Sequence, residues 1–246
     1  QVGRIESGED GTAAIFSQGE MVRSALAEGR LVPFFQPIVS SADGSVHAYE
    51  VLARVVDGDR AICAGDFIES AEELGLGAEI DAAVLDRALV AMAAGQLGDA
   101  RMFLNLSAKT LADRARMLAM PARLARAGVA PGRVVLALIN DLRAQGLCFA
   151  LDDFGSGFSS FLYLKYITVD YVKIEGSFIR HVATDPRDRI MVEHIHSMAH
   201  RFGMVTIAEF VEDQATQTLL AGMGIDLCQG YHVGRPLPAA ALPAGG

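Results

Sequence analysis

The 246-residue chain lacks any run of the 18 or more apolar residues that a membrane span needs, and no signal-peptide pattern opens it. It reads as a soluble piece. Cysteine is scarce: Cys63, Cys148 and Cys228 have no close sequence partners and lie in or beside apolar stretches. That excludes a disulfide framework and leads us to expect three reduced, buried thiols acting as small core hydrophobes in a cytoplasmic setting. Positive charge is also short, with 21 Lys and Arg against 30 Asp and Glu and a net charge of −9. A duplex nucleic-acid binder would want a basic face, so that class is disfavoured. Any anionic ligand would need metal ions or local basic side chains to hold it. Finally, no His-Glu-x-x-His pattern occurs. His196 and His200 are four apart and share a helix face, but without that pattern solvent-facing histidines are the better reading than a zinc site.

What is present suffices for a large core: 51% of residues are hydrophobic and the mean hydropathy is +0.29. Strand and helix patterns alternate without a linker, which places one domain over residues 18–246. Residues 1–17 are polar and Gly-rich and read as a flanking segment. A chain that begins with Gln1 is expected to be cut from a longer protein, with a membrane-bound or sensory domain upstream.

Leu31 to Val39 reads as a strand, and Pro37 within it suggests a strand end or a sheet edge. Asp43-Gly44 is a hairpin signal, so Val46 to Val55 should return antiparallel. On that returning strand Glu50, Leu52 and Arg54 share one face by the period of two. Glu50 and Arg54 are either an ion pair or a metal ligand beside a phosphate-binding fork. Helices are expected over Asp66–Leu74, Ala78–Ala94 and Leu111–Ala127. Between the last two a strand, Arg101 to Leu106, ends in Asn105, with Ser107 the better helix cap.

The most informative stretch is Leu142 to Phe178. A helix end at Gly146 leads into the apolar run Leu147–Leu151, which stops at Asp152 and Asp153. Asp is common in turns and caps, but two acids closing an apolar run with Gly155 and Gly157 behind them fit a metal-binding strand end better. A second strand, Asp170 to Ile174, alternates so that Val172 and Ile174 face one way and Tyr171, Lys173 and Glu175 the other. Downstream, Pro186–Arg201 is helical, and Met204 to Phe210 is a strand with Val205, Ile207 and Glu209 on one face. Gln214–Gly222 is the last clear helix and Ile225 to Val233 the last strand, carrying Gln229.

The stretch LDDFGSGFSSFLYLKYITVDYVKIEGSFI resembles the central signature of the EAL domains, bacterial cyclic di-GMP phosphodiesterases and their inactive relatives. FFQPIVSSADGSVHAYEVLAR, FLNLSAKTL, TIAEFVED and CQGYHVGRPLP resemble further motifs of that family in the right order, so the likeness covers roughly residues 18–240. It implies a TIM-type (β/α)8 barrel with one antiparallel strand near the start. It implies Glu50, Asn105, Asp152, Asp153 and Glu209 as ligands of two Mg²⁺ or Mn²⁺ ions, and Lys173, Glu209 and Gln229 as the catalytic group. Gln36, Leu52 and Arg54 become candidates for contact with cyclic di-GMP. A homodimer formed through the loop from Phe154 and its following helix, and an upstream sensory or GGDEF-type domain, are expected too. The full-length protein could then be membrane-anchored.

Three departures matter. The name-giving motif reads Glu-Val-Leu, a change on the opposite face from Glu50. Phe210 stands where the family most often has glycine. After Val134–Leu136, the Glu-x-Thr-Glu type motif, whose first glutamate binds metal in the family, has neither glutamate. Little room is left for a strand-to-strand crossover there. Either the segment is truly deleted, which would cripple the metal site, or residues are missing from the chain as given; the minimum crossover length favours the latter. The expected activity is metal-dependent hydrolysis of cyclic di-GMP to linear pGpG by two-metal activation of water. The alternative is a catalytically inactive receptor for the same dinucleotide.

Overall fold

The computed structural model describes residues 6–137, 146–155 and 169–243. Helix α1 spans Glu6–Ala27. Strand β1 (Leu31–Ser40) turns at Gly44, whose φ of +72° suits glycine, into β2 (Val46–Asp57). The two pair antiparallel, with Gln36 opposite Glu50. The short β3 (Arg60–Cys63) extends β2 outward. Helices α2 (Ile68–Glu73) and α3 (Gly77–Ala93) follow, then β4 (Arg101–Leu104).

The single helix expected over Leu111–Ala127 is two. Ser107 caps α4 (Ala108–Ala112) by accepting from the Thr110 amide, and Asp113 starts α5 (Arg114–Arg126) by accepting from the Ala115 and Arg116 amides. A carboxylate beside free amides breaks the run because it satisfies donors that a continuous helix would bond itself. Then come β5 (Val134–Ala137), β6 (Cys148–Phe154), β7 (Tyr171–Ile174), α6 (Gly176–His181), α7 (Pro186–Arg201), β8 (Val205–Ala208), α8 (Gln214–Gly222) and β9 (Leu227–Gln229). The last strand is thus much shorter than the expected Ile225–Val233. A final β10 (Leu237–Pro238) pairs with β1.

Eight strands close a barrel: β1, β2, β4, β5, β6, β7, β8 and β9 are neighbours in that order, and β9 returns to pair with β1. Pairs from β2 through β4 to β9 are parallel, and β1 is antiparallel to both its barrel neighbours. Pro37 is inside β1 and not at a sheet edge. It falls between the segment that pairs with β10 (Phe34, Phe35) and the one that pairs with β9 (Ile38–Ser40), a gap where one ladder is interrupted.

The barrel interior holds one buried side chain from each strand: Ile38, Ala48, Phe103, Val135, Ala150, Tyr171, Ile207 and Leu227. A larger apolar layer, including Val22, Leu85, Leu89, Val172 and Ile174, lies outside the barrel under the helices. The alternation read for β7 therefore holds, with Tyr171 inside and Val172 outside. Cysteine burial is uneven: Cys228 is buried, Cys148 partly so, and Cys63 is exposed, because β3 lies on the barrel's rim and not in its wall. Among the described residues no helix is long and apolar enough to cross a membrane. The question of missing residues falls on residues 138–145, and the proposed dimer loop largely on 156–168; both lie outside the described residues.

Candidate active site

One step of two residues along each strand from the apolar interior layer, toward the end where the parallel strands finish, are Gln36, Glu50, Asn105, Ala137, Asp152, Lys173, Glu209 and Gln229. Seven of these eight positions are polar. The buried apolar layer lies directly below this ring inside the barrel.

Lys173 is at its centre. Its Nζ lies 3.0 Å from Glu50 Oε1, 3.0 Å from Asp152 Oδ1 and 2.7 Å from Glu209 Oε1. Burial works against its charge, but the carboxylates of Glu50, Glu209 and Asp152 outweigh that and raise its pKa well above the usual lysine value. Glu50 is buried too, and accepts from Asn105 Nδ2 at 3.0 Å and Gln229 Nε2 at 2.5 Å. Burial pushes its pKa up, yet Lys173 and these donors more than compensate and hold it low. Gln229 Nε2 also reaches Gln36 Oε1 at 3.2 Å, and Gln36 donates on to the Gly234 carbonyl. Glu209 goes the other way. Burial raises its pKa to about 7, with Lys173 opposing and Asp152 adding to the rise. Asp153 is raised by burial and by Asp152 beside it.

Asp153 has φ +48°, a left-handed conformation that Asp tolerates better than most residues, and the β6–β7 register shifts between Leu151 and Phe154. This irregularity turns two successive acids toward the same opening, where a regular strand would send them to opposite faces. Oxygen atoms of Asp152, Asp153 and Glu209 lie within 4.8 Å of one another. Three carboxylates thus share one ammonium with a fourth, Asp153, beside two of them, and Glu209 Oε2 and Gln229 Oε1 are buried without a hydrogen-bond partner. Excess negative charge, oxygen donors and orphaned buried oxygens fit a hard divalent cation.

Beside the ring opens a cleft of about 480 Å³ whose lining includes Gln36, Leu52, Arg54, Arg180, Phe210 and Tyr231. All three residues expected to contact substrate are therefore on it. The alternative ion pair is not made: Glu50 pairs with Lys173, while Arg54 donates to the Ala53 carbonyl and stands 5.9 Å from the Phe34 ring centre. Phe210 is 48% exposed at φ +55°, with the Arg180 guanidinium 4.5 Å from its ring centre. Arg180 and Tyr231 were not expected from the sequence. Their positions depend on loops and a short helix that carry no periodic signal, although an exposed aromatic two residues past Gln229 is a local hint. A larger cavity of about 780 Å³ opens at the opposite end of the barrel, around His47 and Arg101. It holds none of the ring, so size does not identify the site.

The chain is 33% identical over 238 residues to "Cyclic di-GMP phosphodiesterase PdeB" of Shewanella oneidensis, covering 89% of this chain and 28% of that protein. It is 31% identical over 242 residues to "Bifunctional diguanylate cyclase/cyclic di-GMP phosphodiesterase MucR" of Pseudomonas aeruginosa, covering 91% of this chain and 35% of the relative. The chain therefore spans about a third of the length of the curated relatives it matches. The solved "PaMucR Phosphodiesterase, c-di-GMP complex" superposes with a TM-score of 0.85 at 30% identity, over 92% of this chain and all of that one. The family profile described as "EAL domain" matches residues 19–236, and the chain belongs to that family.

Proposed function

We propose that this domain is a metal-dependent phosphodiesterase that opens cyclic di-GMP to linear pGpG. The observation that carries the reading is the buried Lys173 held among Glu50, Asp152 and Glu209, with Asp153 beside them, at the mouth of the cleft lined by Arg54 and Phe210. Relatives named as cyclic di-GMP phosphodiesterases, and a related structure titled as a complex with that dinucleotide, supply the substrate.

Asp152, Asp153 and Glu209 would hold one cation and Glu50 with Asn105 would border a second, where Mg²⁺ or Mn²⁺ would polarise the phosphodiester and acidify a water. The remaining work belongs to the chain. Arg54 presents a forked donor to a phosphate, and Phe210, with Arg180 against its ring, offers a stacking face for a guanine. Lys173 stays protonated and opposes the negative charge that gathers on the phosphorus oxygens. Glu209, which lines the cleft with its Oε1 2.7 Å from Lys173 Nζ, is placed to accept a proton from the attacking water. The water oxygen bonds to phosphorus, one phosphorus–ribose oxygen bond breaks, and that ribose oxygen leaves with a proton; one phosphodiester is hydrolysed and the other retained.

One observation favours a second reading, a non-catalytic receptor. The strand position next to Asn105, one past the pairing of Leu104 with Leu136, is held by Ala137, a residue type with no ligand atom. The deciding experiment is incubation of the purified protein with cyclic di-GMP and Mg²⁺ or Mn²⁺, following linear product by chromatography. Product that disappears with EDTA and with Asp152→Ala is expected; binding of intact dinucleotide without turnover would leave the receptor.

A further inference from the structure

At the opposite end of the barrel from the carboxylate ring, three side chains converge that the phosphodiester chemistry does not use. His196 and His200 lie on successive turns of α7 with ring centres 4.1 Å apart, and Asp226 immediately precedes β9. One ligand atom from each lies within 4.8 Å of the other two. We propose that His196, His200 and Asp226 form a second metal site, selective for a borderline transition cation such as Zn²⁺, with solvent completing the coordination.

The donor set is the first argument. Two imidazoles and a carboxylate suit Zn²⁺, whereas the ring at the other end offers mainly oxygen and suits Mg²⁺ or Mn²⁺. The second argument is spacing. His200 Nε2 is 2.9 Å from Asp226 Oδ2 and 3.1 Å from Oδ1. Tetrahedral zinc with bonds near 2.0–2.1 Å separates its ligand atoms by about 3.4 Å, so a cation replaces this hydrogen bond with a small outward movement. His200 is exposed, which leaves it free to make that movement.

The third argument is the support behind the ligands. Thr206 Oγ1 donates to Asp226 Oδ2 at 2.7 Å and lies 2.9 Å from His196 Nδ1, while the Thr206 amide donates to the same carboxylate oxygen at 2.8 Å. With its hydrogen given to Asp226, Thr206 Oγ1 accepts from Nδ1–H of His196. This fixes the tautomer and leaves the Nε2 lone pair available, the arrangement that orients metal-binding histidines elsewhere. Gly224 keeps the approach open: a Cβ there would stand 3.3 Å from His196 Nε2. A cation at this point would tie the last turns of α7 to the starts of β8 and β9.

The test titrates the whole chain with Zn²⁺ alone, by calorimetry in excess Mg²⁺, and with Co²⁺ alone, by its visible absorption. Expected is one Zn²⁺ site that survives the Mg²⁺ and Asp152→Ala, accompanied by a rise in melting temperature and a tetrahedral Co²⁺ spectrum. His200→Ala, at an exposed position, should remain folded by circular dichroism, bind Zn²⁺ at least tenfold more weakly and lose the rise; His196→Gln provides a second variant. Zn²⁺ affinity unchanged in either folded variant, or binding abolished by Mg²⁺ or by Asp152→Ala, would overturn the proposal.

Discussion

Lys173 Nζ and Glu50 Oε1 meet 3.0 Å apart inside the barrel although 123 residues separate them in sequence, and both side chains are almost wholly buried. Removing one partner of such a pair leaves an uncompensated charge in a poorly polarisable interior. Lys173→Met should therefore destabilise the protein by about 3–5 kcal/mol, read as a lowered urea midpoint. Excess Mg²⁺ should recover part of the loss by neutralising the carboxylates; a midpoint equal to that of the parent would contradict the central role given to this pair.

Glu209 makes stability depend on pH. Its pKa is about 7 in the fold against an ordinary value of 4.5, so between those values the folded protein keeps a proton that the unfolded chain has lost. Stability of the metal-free protein should fall as pH rises through that window, with Lys173 charged throughout. Urea midpoints in EDTA at pH 5 and pH 8 measure this. Glu209→Gln should flatten the difference, and a parent protein that gains stability over the same range would refute the assignment.

The alanine in the ring is open to repair. The pairing of Leu104 with Leu136 sets residue 137 beside the Asn105 position, and on the other side residue 137 pairs with Ala150, two residues before Asp152. Ala137→Glu should supply an oxygen ligand and improve the apparent Mn²⁺ affinity of hydrolysis by about tenfold, whereas Ala137→Leu should not. Equal Mn²⁺ dependence in the glutamate variant and the parent would show that this position does not face the cation.

Arg54 tests the substrate cleft separately from the ring. Arg54→Lys keeps the charge but loses the planar fork, so KM for cyclic di-GMP should rise about tenfold with kcat nearly unchanged. A fall in kcat at constant KM would move Arg54 from ground-state binding to the chemical step.

Much of this was legible in the chain. The period of two placed Tyr171 and Lys173 inside and Val172 outside, the Asp43-Gly44 turn fixed the reversed first hairpin, and Ser107 was recognisable as a cap. Those features are local: they depend on the pleat, a turn conformation and a nearby amide. The break at Asp113 was missed because a carboxylate competing for helix amides leaves the apolar spacing on either side intact.

The sequence by itself determined which strand ends carry polar groups and that oxygen donors predominate there, because side-chain direction along a strand follows from backbone geometry. Only the tertiary structure decided which of these groups touch. Barrel closure brings Lys173 to Glu50, Asp152 and Glu209, gives Glu209 its raised pKa, and seats Asp226 against His196 and His200. These are distances between segments far apart in the chain, set by the register in which eight strands close, and no local pattern of residues encodes them.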